Sequence, residues 1–219
     1  AAETAIGNYP IQCATMISRM ISQFEISTSK VKQSVNDLIK KESLILPKPH
    51  GGELVYQVID SKEARGLNNY TTLTIDLPTM MDAEQIAIGT FSPLTGFMSK
   101  EEIESVLDNY KLTNGIIWPL PIYCQINNKE FSELSLGDSI VLKLNNVDEP
   151  FAIISIEQMY NLNLNQISLK MFNTNNLEHP GVKKLFEKGD CFISGKVELI
   201  RRIPSKYKYY EITPSESRQ

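Results

Sequence analysis

The chain has 219 residues, of which 42% are hydrophobic and 22% are charged, and its formal net charge is −4. A chain of this length and composition can hold one sizeable core, or one domain plus an appendage. No apolar run approaches the roughly 20 residues that a membrane-spanning helix needs, so no membrane partner is predicted. Residues 1–45 hold five basic and four acidic side chains, and the remainder, with 17 basic and 22 acidic ones, carries −5. Nucleic acid is therefore disfavoured as a partner, because binding to phosphates needs a basic face.

The first segment of the chain reads AAETAIGNYP and leads into apolar residues at helical spacing from Ile11 to Ile21. Pro10 suits the first turn of such a helix. This segment resembles pyruvate kinase near the end of its catalytic barrel, over residues 1–24 only, with Ala1 at a place where that family usually has serine. The metal-binding carboxylates and the catalytic lysine of that family have no counterpart here. Residues 1–25 are therefore interpreted as a helical fragment without phosphoryl-transfer activity, left over from a gene fusion, a read-through or a faulty gene assembly.

Residues 26–48 are predicted to form a second helix and a linker. Hydroxyl side chains at residues 27–29 can cap a helix over residues 30–41, which has its apolar residues on one side. The sequence LPKP at residues 46–49 ends this helix, because two prolines so close together cannot continue it.

Strand patterns dominate beyond the linker. Residues 54–59 and 73–77 are short runs rich in strand-forming residues, and apolar residues alternate with period two over residues 116–126. Pro119 and Pro121 place this last strand at an edge or a bulge. A turn around residues 127–129 and strands over 140–144, 151–157 and 190–199 follow, the last of them broken near Gly195.

Four short helices are predicted among these strands, over residues 82–88, 100–110, 166–172 and 180–188. The last begins with Pro180 in its first turn and stops at Gly189. Runs of strands with helices between them predict an α+β fold, a small distorted β-barrel with short flanking helices, preceded by the helical amino-terminal appendage.

Residues 91–98 read FSPLTGFM, which is too apolar for an ordinary exposed loop. Pro93 and Gly96 prevent a regular helix, so the segment is predicted to be an irregular loop packed into the core. A helix follows at once, since Ser99 and Glu102 have the spacing of a capping box.

Six short motifs together resemble the amino-terminal domain of the sulfate adenylyltransferase family, also called ATP sulfurylases. In chain order they are PHGGEL (49–54), IAIGTFSPLTGFM (86–98), GIIWPLPI (115–122), LGD (136–138), EHPGV (178–182) and TPSESR (213–218). The resemblance covers about residues 46–219. It implies a barrel related to the PUA RNA-binding fold over residues 49–213, with the start of a catalytic domain at residues 214–219.

The resembled family joins sulfate to the adenylyl group of ATP and releases pyrophosphate, with ATP and magnesium expected for the full enzyme. Its phosphate-binding donors belong to the next domain, on a Gln-x-Arg-Asn-Pro-x-His-x-x-His segment and a Gly-Arg-Asp segment, and neither occurs in this chain. The resemblance therefore implies a non-catalytic half that is inactive alone and has no catalytic, cofactor-binding or metal-binding residues. Its expected partner is the missing catalytic domain, with a homo-oligomer also possible.

Few individual residues suggest chemistry. The two histidines, His50 and His179, are interpreted as structural, because no zinc-binding pattern is present. The three cysteines, Cys13, Cys124 and Cys191, are odd in number and far apart, which predicts buried free thiols and a cytoplasmic protein. Arginines near the end of the chain suit pairing with carboxylates or phosphates of another domain; these are Arg201, Arg202 and, in the join between domains, Arg218.

A stand-alone RNA-binding module is the alternative interpretation, since the PUA relationship and the sequence KYKYY at residues 206–210 both allow it. The acidic charge of the domain separates the two hypotheses and favours the first.

Overall fold

The computed structural model describes residues 47–60, 67, 70–145 and 147–218. The two helices predicted within residues 1–41, the resemblance to pyruvate kinase and Cys13 all lie outside these residues. From Lys48 onward the chain belongs to one compact unit. None of the helices in the described ranges is long and apolar enough to cross a membrane.

Six strands and five α-helices make up the described part of the chain. They are β1 (Thr71–Ile75), α1 (Leu77–Ala87), β2 (Gly96–Phe97), α2 (Lys100–Asn109), β3 (Cys124–Ile126), α3 (Asn128–Glu133), β4 (Ser139–Leu144), β5 (Ala152–Asn161), α4 (Leu164–Phe172), α5 (Pro180–Glu187) and β6 (Cys191–Leu199). Two short 3₁₀ turns follow, at Lys208–Tyr210 and Glu216–Arg218.

The strands form one mixed sheet in the order β1-β4-β5-β6-β2. β1 and β4 are parallel, and the other pairs are antiparallel. β6 carries β5 on one side and two short strands on the other, where β3 lies opposite residues 191–193 and β2 opposite residues 195–196. β1 is the other end of the sheet and does not pair with β2 or β3.

The sheet is therefore open, and the prediction of a barrel was wrong in this respect, although the α+β class and the short flanking helices are confirmed. A barrel closes only when strands hydrogen-bond all the way round. The run over residues 116–126 would have supplied a long strand for this, but only Cys124–Ile126 pairs. Pro119 and Pro121 have no N–H to donate, so this edge offers too few hydrogen bonds to continue the sheet.

Three other local predictions were also wrong. Residues 54–59 contribute only one isolated bridge, Val58 with Leu199, rather than a strand. The helix predicted at residues 82–88 begins at Leu77, because Asp76 caps it and accepts a hydrogen bond from Thr79 N at 3.0 Å. The turn predicted at residues 127–129 is the start of α3, where Asn127 and Glu130 form a capping box.

β6 is continuous, and the irregularity expected near Gly195 lies instead in its neighbour β5. Ile156 pairs with Gly195 and Gln158 with Ser194, so Glu157 is an extra residue in β5. This is a β-bulge, which bends the strand that contains it.

Buried side chains form two clusters. One lies between the sheet and α1 and includes Met80, Ile86 and Ile154; the other lies against α2, α4 and α5 and includes Met98 and Phe192. All five of these side chains are fully buried. The capping residue of α2 is Ser99, as predicted, and its Oγ accepts from Glu102 N at 3.3 Å.

Candidate functional site

The FSPLTGFM loop is packed into the fold, as predicted. Leu94, Phe97 and Met98 are 5%, 3% and 0% exposed. Ser92 is also buried, and its Oγ donates to Gly89 O at 2.6 Å and accepts from Val55 N at 3.0 Å. The polar groups of the loop are thus used inside the domain, so this loop holds chain segments together and offers no reactive group.

Gly96 of this loop lies directly against the backbone of β6. A Cβ atom placed on Gly96 would be 1.8 Å from Gly195 O. Gly195 is also closely approached by backbone, on its other side: a Cβ atom added to it would be 1.8 Å from Ser155 O of β5. Both glycines are therefore required by close backbone approach, which explains the glycine of the motif without any ligand.

Both histidines have structural partners. His50 Nε2 lies 2.8 Å from Ile117 O, and its ring is 6.0 Å from the ring of Trp118. His179 caps α5, where its Nδ1 accepts from Val182 N at 3.4 Å. These contacts agree with the structural interpretation made from the sequence.

Cysteine and metal chemistry find no support in the described ranges. Cys124 and Cys191 are free and buried, and burial raises the pKa of the Cys124 thiol to about 12. A thiol with so high a pKa is a poor nucleophile and metal ligand. No group of three or more His, Cys, Asp or Glu side chains with metal-binding geometry occurs among the described residues.

Exposed apolar side chains of α1 and of the segment that follows β6 lie close together. Leu77 and Met81 of α1 are each 50% exposed, and Tyr210 and Ile212 are 80% and 64% exposed. The four side chains line a hollow of about 510 Å³, which we call the carboxyl-terminal face. Clustered apolar surface of this kind is typical of sites that another protein surface covers.

The buried carboxylate of Glu84 lies at the base of the carboxyl-terminal face. Glu84 is only 4% exposed, and its two oxygens accept from Arg202 Nε at 2.7 Å and from Ile203 N at 2.8 Å. Arg202 also lies 3.5 Å from Glu211 Oε2. Sequence reasoning missed Glu84; the available signal was a carboxylate on α1 flanked by buried apolar positions.

The three arginines expected to approach another domain differ in their contacts. Arg202 is used within the domain, while Arg201 contacts Glu149 at 3.3 Å and lies over the Phe151 ring at 4.3 Å. Arg218 ends the last 3₁₀ turn. That turn is preceded by a reciprocal cap, in which Glu216 Oε2 accepts from Thr213 N at 2.6 Å and Glu216 N donates to Thr213 Oγ1 at 3.2 Å.

An open mixed sheet, short helices and a packed central loop define an α+β domain. The sequence pattern described as "PUA-like domain" matches residues 47–202, and the chain belongs to this family. The PUA-like relationship predicted from the sequence is thus confirmed.

Curated relatives give the wider context. The chain is similar to sulfate adenylyltransferases from Pyrococcus abyssi, at 33% identity over 178 residues, and from Persephonella marina, at 34% over 179. These matches cover 80% and 78% of this chain but 46% of each relative, so the chain spans about half their length. Among solved structures, the hexameric APS kinase from Thiobacillus denitrificans shares the fold, with a TM-score of 0.59 and 22% identity over 79% of this chain and 31% of that one.

Proposed function

We propose that this chain is the amino-terminal, non-catalytic half of a sulfate adenylyltransferase, which needs a catalytic domain to form adenylyl sulfate and pyrophosphate from ATP and sulfate. The observation that carries the proposal is the identity of 33% over 178 residues, which matches 46% of the relative from Pyrococcus abyssi. The internal use of the motif residues supports a structural role rather than a catalytic one. Magnesium and ATP belong, in this proposal, to the catalytic domain.

The carboxyl-terminal face is proposed as the surface that packs against the catalytic domain. Its exposed Met81 and Tyr210 are the kind of side chains that dominate protein interfaces. The segment that carries Tyr210 and Ile212 is fixed to α1 through Glu84 and Arg202, so the surface is already ordered before a partner arrives. A preorganised surface loses less conformational entropy on docking.

The purified chain is expected to release no pyrophosphate above the blank when it is incubated with ATP, sulfate and magnesium. The reason is that the printed sequence contains neither of the two segments that the resemblance assigns to phosphate binding, Gln-x-Arg-Asn-Pro-x-His-x-x-His and Gly-Arg-Asp. A coupled pyrophosphate assay measures this, with the Persephonella marina enzyme as the positive control. Steady turnover in proportion to the amount of chain would contradict the proposal.

The transcript that encodes this chain is expected to continue in frame beyond Gln219 into a Gln-x-Arg-Asn-Pro-x-His-x-x-His segment. Sequencing of full-length complementary DNA tests this directly. A stop codon directly after Gln219 in every transcript would argue against a domain of a larger enzyme. In that case, an RNA gel shift that survives physiological salt would favour the RNA-binding alternative.

A further inference from the structure

A second concave site lies away from the carboxyl-terminal face, between the start of α1, the segment before β3, the end of α4, and α5. It is a cleft of about 280 Å³. Its apolar walls include Leu120, Ile122, Met171 and Phe172. Pockets that bind drug-sized ligands measure about 300–1,000 Å³, so this cleft suits a smaller molecule.

One side of the cleft is electrostatically satisfied. Asp76 lies 3.0 Å from Lys188 Nζ and 3.6 Å from Lys184 Nζ. Burial works to raise the pKa of Asp76, but hydrogen bonds from Thr79 and Lys188 outweigh it and lower the pKa to about 2. Both lysines that line the cleft are therefore paired with a charged carboxylate, Lys188 more closely than Lys184.

On the other side of the cleft, two hydrogen-bond acceptors receive no hydrogen bond from the described residues. Asp82 is half-buried, and no hydrogen bond or ion pair reaches its carboxylate from the described residues. Gln125 is 6% exposed, and its Nε2 donates to Leu185 O at 2.7 Å and to Gly189 O. These two bonds fix the amide orientation and use both of its N–H groups. Gln125 Oε1 has no hydrogen-bond donor among the described residues and is not one of their fully buried unpartnered atoms, so it remains free to accept a hydrogen bond.

We propose that this cleft binds a small primary ammonium ion that carries a compact apolar group. The ammonium donates to the Asp82 carboxylate and to Gln125 Oε1, and the apolar group packs against Ile122 and Phe172. An ammonium group suits the site because it has three donors and no acceptor. A metal ion does not, since Asp82 is the only carboxylate in the cleft that is not already engaged by lysines. The proposal does not depend on the sulfate adenylyltransferase assignment.

The charge state of Asp82 gives the proposal a pH signature. Burial, and then the charge of Asp76, raise the pKa of Asp82 to about 6, while Lys184 partly opposes this rise. Asp76 and Tyr123, which also line the cleft, do not change charge near pH 6, because hydrogen bonds hold the pKa of Asp76 low and burial raises that of Tyr123. Ammonium binding is therefore expected to strengthen as pH rises from 5 to 7.5.

Titration with 2-phenylethylamine tests the site, with 2-phenylethanol as the uncharged probe of the same shape. Chemical-shift changes in the amide spectrum of the full chain report both location and affinity. At pH 7.5 we expect the amine to bind about tenfold more tightly than the alcohol, with shifts centred on residues 120–125 and 181–188, because hydrogen bonds to charged groups are the stronger ones. Equal affinity for the two probes, or no saturable shift at these residues, would overturn the proposal.

Asp82→Asn is expected to weaken amine binding about tenfold and to abolish its dependence on pH. The variant is expected to fold, because a carboxyl with a raised pKa destabilises the folded state once it ionises above pH 6, and Asn removes that charge. Asp108→Asn, which removes a surface carboxylate paired with Lys170, is the matched control and should leave binding unchanged. Wild-type affinity in Asp82→Asn would refute the assignment.

Discussion

Glu84→Gln is expected to destabilise the domain by about 3 kcal/mol, because it breaks a buried ion pair and leaves the Arg202 guanidinium with only its longer, more exposed contact to Glu211. Glu84 is 4% exposed, and both of its oxygens are occupied, by Arg202 Nε and by Ile203 N. An amide can replace only one of these acceptors and turns an N–H₂ group towards the other donor. Urea unfolding followed by circular dichroism measures the change in the free energy of unfolding.

Glu211→Gln is the matched control within the same network. Glu211 also contacts Arg202, but at 3.5 Å and with a side chain that is 38% exposed. Exposed ion pairs contribute little, so we expect a loss below about 1 kcal/mol. Similar losses in the two variants would mean that burial does not set the strength of this network. The comparison also bears on the proposed function, because Glu84 orders the segment that supplies half of the carboxyl-terminal face.

Gly96→Ala is expected to destabilise the domain by about 3 kcal/mol or more, or to prevent its folding. The added methyl group would meet Gly195 O at 1.8 Å and Lys196 Cα at 3.0 Å. Both are backbone atoms of β6, so relief requires β2 to separate from β6 rather than a side chain to turn. Loss of this pairing would also displace Phe97 and Met98, which are buried in the two core clusters.

Gly115→Ala separates this steric effect from the general cost of replacing glycine. Gly115 has a φ of 88° and no atom within 4 Å of an added Cβ. Only the left-handed backbone conformation opposes alanine there, at about 1 kcal/mol. Thermal unfolding of both variants against the wild type measures the difference. A smaller effect in Gly96→Ala than in Gly115→Ala would show that β2 and β6 do not approach as closely as the structure has them.

Elements that depend on local signals were predicted well from the sequence. The cap at Ser99 starts α2 at the expected residue, and the alternation of apolar residues identifies β4. The long strand expected over residues 190–199 is β6. The packed state of the FSPLTGFM loop was also predicted, because apolar side chains on an irregular segment are retained only when they are buried. Each of these features is decided by residues within a few positions of one another.

Features that depend on distant partners were not predicted. Of the strand expected over residues 116–126, only Cys124–Ile126 forms, because only these three residues pair with β6. Glu84 looks like a surface carboxylate in sequence, and its partner Arg202 is 118 residues away. The acceptors of the cleft come from α1 and β3, which no motif connects.

By itself, the sequence determined the PUA-like relationship and the α+β class, since composition, periodicity and short motifs are local properties of the chain. Tertiary structure alone decided that the sheet is open, that Gly96 meets Gly195, and that Asp82 and Gln125 line one cleft. The physical reason is that hydrogen-bond partners, close backbone approach and burial are set by contacts between residues far apart in the chain.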